Sequence, residues 1–308
     1  MATRIGTMCP MVRHATGVMK REFGHALAAR TSSTYWRRVA HLQEQGTRQA
    51  FDFAAGLLRS RQANRRQLGV DVLGQLDYHK SVPPFKSQSV SVLRTALKVE
   101  RNPAVLAALI TALARLRVRS AIPLLVPLAA HESPEVRRAL AAELQWCTWD
   151  SGEERPDRRV TATLIELSRD RAAVVRDWAC FSLAGSVADC PKIRAALWDR
   201  IRDPHYDTRV EALRGLARRR EEGVRQPLRD TIHAIGSDRL GAWVMEDLDD
   251  YAKRVRDRDL VKTLESPASA PSAHVGYRTS TRQRIPGTVA SRLSIVRRSA
   301  PRTSARAT

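Results

Sequence analysis

Asp170 and Arg176 stand six residues apart, and Asp203 and Arg209 repeat that spacing 33 residues further on. Each Asp opens a turn and each Arg falls in the first turn of the helical pattern that follows. Behind them runs an apolar stripe at i, i+4, i+8: Val175, Ala179, Leu183, then Thr208, Ala212, Leu216. The same stripe appears upstream as Val136, Leu140, Leu144 and as Val105, Leu109, Leu113, with a weaker copy at Arg65, Gly69, Leu73. This spacing places the three side chains on one helical face. A fixed recurrence of that kind is the signature of a repeat architecture, in which no unit buries its apolar face alone and about three or more must stack.

A second helical pattern accompanies each striped one, over 122–130, 160–169, 193–202 and 224–235. Small residues at mid-stripe, Gly69, Ala179 and Ala212, allow a neighbouring helix to come close. The expected fold is therefore all-α, a right-handed solenoid of about five to six stacked antiparallel helix pairs over residues 33–265. Pro123 suits a first helical turn. Pro127, four residues on, deletes a hydrogen bond and tilts its helix. The polar stretch Asp150 to Pro156 reads as a loop between two helices, and Ser81-Val82-Pro83-Pro84 as a break.

The segments Ser133-Pro134-Glu135-Val136-Arg137, Val174 to Ala179 and Asp203-Pro204 through Arg209, Ala212 and Leu213 resemble HEAT repeats, of the bacterial phycobilin-lyase-like type. The resemblance covers roughly residues 47–250. It implies that turn Asp and helix Arg link neighbouring repeats, here Asp170 with Arg176 and Asp203 with Arg209. Glu100 and His131 stand at the Asp position of earlier units and Leu106 at the Arg position, so those units are expected to be held by apolar packing.

The formal net charge is +21, but much of it lies at the ends. Residues 266–308 hold eight arginines and no acid, and residues 1–32 hold five basic groups and one acid. Neither end has the apolar periodicity to offset its ordering entropy. Residues 1–32 are expected to be a disordered basic leader, similar in composition to a transit peptide or preceding a later start at Met11 or Met19. Residues 266–308 are expected to be a disordered tail. Four cysteines exclude a disulfide scaffold, and without a secretory signal the expected location is the cytoplasm.

No glycine-rich phosphate loop, Cys-x-x-Cys or paired-His ligand pattern occurs, so no metal, cofactor or catalytic residue is assigned. Cys147, Cys180 and Cys190 read as packed side chains. Trp178 beside Asp177 superficially suits the aromatic and carboxylate of a HEAT-like alkylpurine DNA glycosylase, but Trp178 falls on the core arc with Val174 and Phe181. The expected function is a non-enzymatic protein-binding scaffold for an acidic partner surface. The candidate contacts are Arg194, Arg225 and Arg229, on second helices that also carry Arg159, Glu166, Lys192, Arg200 and His233. The alternative is a nucleic-acid-binding protein, with repair chemistry at its furthest extent. Nucleic acid is expected to bind weakly and the membrane not at all.

Overall fold

A computed structural model describes residues 10–76, 83–150, 153–235, 240 and 242–265. The tail 266–308 and most of the break around Ser81 lie outside these residues. Fifteen α-helices succeed one another among the described residues. Helices α1 (Pro10–Leu27) and α2 (Ser32–Gln45) precede the pairs α3 (Arg48–Leu57) with α4 (Ala63–Leu73) and α5 (Lys86–Val99) with α6 (Pro103–Arg115). Next come α7 (Ile122–Leu125) with α8 (Pro134–Glu143), α9 (Arg158–Leu167) with α10 (Ala173–Gly185), and α11 (Pro191–Trp198) with α12 (Tyr206–Arg218). Then α13 (Arg225–Ile235), α14 (Ala242–Arg254) and α15 (Arg258–Glu265) close the order. The architecture is an all-α solenoid.

The striped helices form one continuous row: α4 packs on α6, α6 on α8, α8 on α10, α10 on α12 and α12 on α14. Their stripes are the seams. Val175, Ala179, Leu183, Thr208, Ala212, Leu216, Val136, Leu140, Leu144, Val105, Leu109 and Leu113 are all buried, whereas Arg65, heading the weak copy, is exposed. The second row is more loosely joined, α9 to α11 and α13 to α15. As Pro127 requires, the 122–130 segment breaks into α7 and a 3-10 turn over Val126–Ala130, with Pro123 in the first turn of α7.

Gly69, at mid-stripe, and Gly215, beside the stripe residue Leu216, mark close approaches. A Cβ on Gly69 would lie 2.5 Å from the Ala54 carbonyl oxygen, and one on Gly215 would lie 3.1 Å from Ala184 Cα. Side-chain caps start several helices: Asn102 accepts from the Ala104 and Val105 N–H groups, Ser133 from Glu135, and Asp157 from Arg159. Others stop at an arginine in the left-handed region. Arg117, Arg220 and Arg256 have φ of 55°, 59° and 56°. The following N–H reaches back to the Leu113, Leu216 and Ala252 carbonyls, as in a Schellman closure.

Three expectations need correction. Residues 10–27, placed in a disordered leader, form α1, which lays the buried side chains of Met19, Phe23 and Ala26 against α2 and α3. The spacing 19, 23, 26 is itself a helical stripe, which the local excess of basic residues obscured. The polar stretch after Trp149 is not a plain loop: Trp149–Asp150 pairs antiparallel with Glu153–Glu154. Glu154 accepts hydrogen bonds from Gln145 Nε2, Ser186 Oγ and the Val187 N–H, strapping one unit to the next. Val174 is 36% exposed, so the buried arc of α10 is narrower than expected on that side. No helix among the described residues is long and apolar enough to cross a membrane.

The seams predict mutational costs. Leu183→Ala should lower stability by about 2–5 kcal/mol, read by denaturant melts. Gly69→Ala should cost about 1–3 kcal/mol, although it improves helix propensity, because its methyl meets backbone.

Candidate functional site

The Asp–Arg pairs that define the repeat do not close within a unit. Arg176 Nε and Nη2 donate to Asp203 of the next unit, both at 2.8 Å. Its remaining Nη1 donates to the Asp170 and Arg171 carbonyls of its own turn. Asp170 accepts instead from Arg137 of the preceding unit, at 2.6 and 3.0 Å. Arg137 Nη1 again holds its own turn, at the carbonyls of His131 and Glu132. The resemblance's pairing of Asp170 with Arg176 and Asp203 with Arg209 is thus shifted by one repeat. Arg209 Nη1 reaches the Asp203 and Pro204 carbonyls in the same manner.

Each turn carboxylate also caps the helix beginning two residues on. Asp170 accepts from the Ala172 N–H at 2.8 Å and Asp203 from the His205 N–H at 2.9 Å. One clasp therefore fixes two turns and a helix start. Its fork-to-fork geometry is the strong form of the charge-assisted bond.

The expectation that earlier units rely on apolar packing holds at one joint only. Glu100 takes a full clasp from Arg66, at 2.7 and 2.9 Å, and caps Asn102. Arg66 Nη1 holds the Ser60 and Arg61 carbonyls. The longer Glu side chain serves where Asp stands elsewhere. At the next joint both members change together. Leu106 is a buried apolar side chain, and His131 Nδ1 accepts from the Ser133 N–H, keeping the cap without a carboxylate.

Burial alone would raise the Glu100, Asp170 and Asp203 carboxyls, but the arginine and backbone hydrogen bonds outweigh it and hold all three below the usual carboxylate range. Asp71 is the opposite case. Burial in the α2–α4 contact pushes it up to about 6, against the hydrogen bond it accepts from the Tyr35 hydroxyl at 2.6 Å and the field of Arg115.

The three arginines expected to meet a partner are engaged within the chain. Arg194 forks onto Asp189 at 2.9 and 2.6 Å and also pairs with Glu221. Arg229 Nη2 lies 2.6 Å from both Asp257 oxygens. Arg225 stands beside the Tyr251 phenol, whose hydroxyl donates to the Glu221 carbonyl at 2.9 Å. They tie the second row to its neighbours and are not brought together as an open patch.

The residues weighed for repair chemistry are enclosed. Trp178 and Asp177 are each only 5% exposed, and Trp178 meets Phe181 edge-on at 5.4 Å. Arg214 lies over the Phe181 ring at 5.3 Å, donates to Glu211 and Asp247, and so joins α10, α12 and α14. Cys147 and Cys180 are buried, and burial pushes their thiols up, Cys147 to about 12, consistent with packed, unreactive side chains. Among the described residues, no group of three or more His, Cys, Asp and Glu could hold a metal.

Residues 90–184 match the HEAT repeats family model. That span contains the Arg137–Asp170 clasp and the unclasped joint. Protein YibA of Escherichia coli strain K12 is 24% identical over 231 residues, 73% of this chain and 76% of YibA. The X-ray structure of E. coli YibA superposes with a TM-score of 0.57 at 21% identity, over 84% of this chain and 99% of that one, which shows a shared fold. A designed armadillo repeat protein aligns with a TM-score of 0.39 at 14% identity, over 64% of this chain and 98% of its own.

The clasps carry two testable consequences. Arg176→Met takes both fork bonds from the buried Asp203 carboxylate and leaves it only Arg200 Nη1, 3.3 Å away, and should cost about 1.5–3 kcal/mol by denaturant melts. Because the clasp carboxyls lie lower in the folded chain than unfolded, their contribution is complete above the ordinary carboxylate pKa and disappears as pH falls through the folded values. The stability difference between the parent and Arg176→Met should accordingly shrink on acidification. Installing Leu106→Arg with His131→Asp should show favourable coupling in a double-mutant cycle, although Leu106→Arg alone destabilises.

Proposed function

We propose that the chain is a non-enzymatic scaffold that holds a protein partner through an acidic surface of that partner. One observation carries this reading. Most buried carboxylates of the stack, such as Glu100, Asp157, Asp203 and Asp257, are drawn into clasps, caps and ties between helices, and although acids such as Glu132, Glu135 and Glu166 are exposed, so are many arginines at its turns. Arg61, Arg171 and Arg202 each flank a clasped turn and point outward. Residues 33–265 hold 40 basic and 31 acidic side chains, so the folded body is basic before its ends are counted. A repeat stack supplies the rest, a long surface kept in shape by nearest-neighbour contacts. The finer likeness to phycobilin-lyase-like repeats is proposed on the motifs between 133 and 220, and no chromophore-binding role is carried over with it.

The surface proposed to bind is an exposed turn edge. Arg194, Arg225 and Arg229 belong to the framework in this reading: Arg229→Glu sets a second acid against Asp257 and should lower the melting temperature.

The test is capture by the full chain from a nuclease-treated extract, followed by titration of the purified partner at two salt concentrations. A binary protein complex that weakens with salt is expected. For short duplex DNA near physiological salt, binding at about 10⁻⁴ to 10⁻⁶ M or weaker is expected, in the range of nonspecific phosphate attraction. Capture abolished by nuclease, or much tighter and sequence-selective DNA binding, would overturn the scaffold in favour of a nucleic-acid protein.

A further inference from the structure

The clasp between Arg66 and Glu100 brings two turns side by side, Leu58–Arg61 and Lys98–Arg101. Residues 53–70 and 83–106 together hold eight basic side chains and one acid, and the acid is Glu100, already committed to Arg66. What remains at the surface is strongly positive. Arg59, Arg61, Arg65, Lys98 and Arg101 are exposed. The first four make no ion pair or side-chain hydrogen bond among the described residues, and the Arg101 guanidinium donates to the Glu100 backbone carbonyl while its backbone N–H donates to the Glu100 carboxylate.

Within this basic rim lies apolar surface. Val99 is 73% exposed, the most exposed large apolar side chain among the described residues. It borders a cleft of about 260 Å³ lined by Leu58 and Ala96 together with Arg66, Glu100 and Arg101. That volume is below the roughly 300–1,000 Å³ of a small-molecule site. It has room for a single apolar side chain. The adjoining helix α4 begins at Gln62 with no side-chain cap, so its first N–H groups also favour an anion.

We propose that this patch binds an acidic peptide segment of a partner protein, seating one aliphatic side chain against Val99 and Leu58 while its carboxylates meet the surrounding cations. The proposal rests on the scaffold reading and gives it a place and a ligand chemistry. A peptide fits better than nucleic acid because the patch centre is aliphatic. A phosphate backbone has nothing to bury there, and unpaired bases favour aromatic platforms. Steering by several cations makes binding fast and salt-dependent, while the apolar seat sets which segment stays.

The probe is a short fluorescein-labelled peptide of Glu and Asp with one central Leu, titrated by anisotropy against the full chain. A second probe carries Ser in place of the Leu. Arg61→Glu with Lys98→Glu should raise the Kd of the leucine probe by about tenfold or more. Val99→Ser should raise it by about 3–10-fold and leave the serine probe unchanged, since one buried apolar contact is worth about 1 kcal/mol in affinity. Arg256→Glu, on an exposed turn of the last units, should change neither, and controls for general charge attraction, including that of the arginine-rich tail. Melting curves accompany each variant; should the double variant melt early, Arg59→Glu with Arg65→Glu replaces it. An unchanged Kd in the folded patch variants overturns the proposal, as does indifference of the leucine probe to Val99→Ser. Displacement of the probe by short duplex DNA that itself needs Arg61 and Lys98 also overturns it. If the partner found by capture still binds the patch variants, this site falls while the scaffold stands.

Discussion

The stack depends on a guanidinium used on both of its sides. In each clasp, Nη1 holds the carbonyls of its own turn while Nε and Nη2 take the carboxylate of the next. The carboxylate in turn caps the helix that carries the following arginine. Apolar seams bring the helices together, but they are tolerant of sliding. The fork geometry of arginine and carboxylate is not, and it sets where along its neighbour each helix lies. Removing the cation would leave a buried carboxylate behind, so these pairs are better understood as fixing register than as adding net stability.

Most of this fold was legible in the residues because it is periodic. The stripe positions at Val175, Ala179 and Leu183 are buried as their spacing requires. The clasp was visible as a motif but not as a connection. A six-residue spacing suggests a contact within a unit, and only the stacking places Asp170 nearer Arg137 than Arg176. A signal was present: the separations of Arg66 from Glu100, Arg137 from Asp170 and Arg176 from Asp203, 34, 33 and 27 residues, each equal the local repeat length less the six-residue turn spacing. Residues that work at a single place left no such trace. Glu154 reaches Ser186 from inside a polar insertion, and Met19, Phe23 and Ala26 pack from a segment whose charge suggested disorder.

Arg194, Arg225 and Arg229 illustrate the limit of reading charge from a helical wheel. An arginine on a polar face is available to a partner only if no acceptor of its own or the next unit lies within its reach. Here Asp189 and Glu221 take Arg194, Asp257 takes Arg229, and the Tyr251 phenol stands beside Arg225. The cations left over are those at turn tips, where the chain reverses and the adjacent acid already serves a clasp. Val99 stands among them, at the end of a helix whose inner face is buried.

The direction of the clasp gives the chain something like the complementary ends of a head-to-tail polymer. Every clasped unit offers a donor forward and an acceptor backward, in the same chemistry each time. An exchange of whole units therefore restores a matching junction: without residues 138–176, the next acceptor after Arg137 is Asp203, and the junction has the same atoms. Loss of part of a unit leaves a donor facing no acceptor. Lengthening or shortening in whole repeats is thus the change this design absorbs most readily, and the joint at Leu106 and His131, with neither end of the bond, is where a foreign unit would meet the weakest demand for a match.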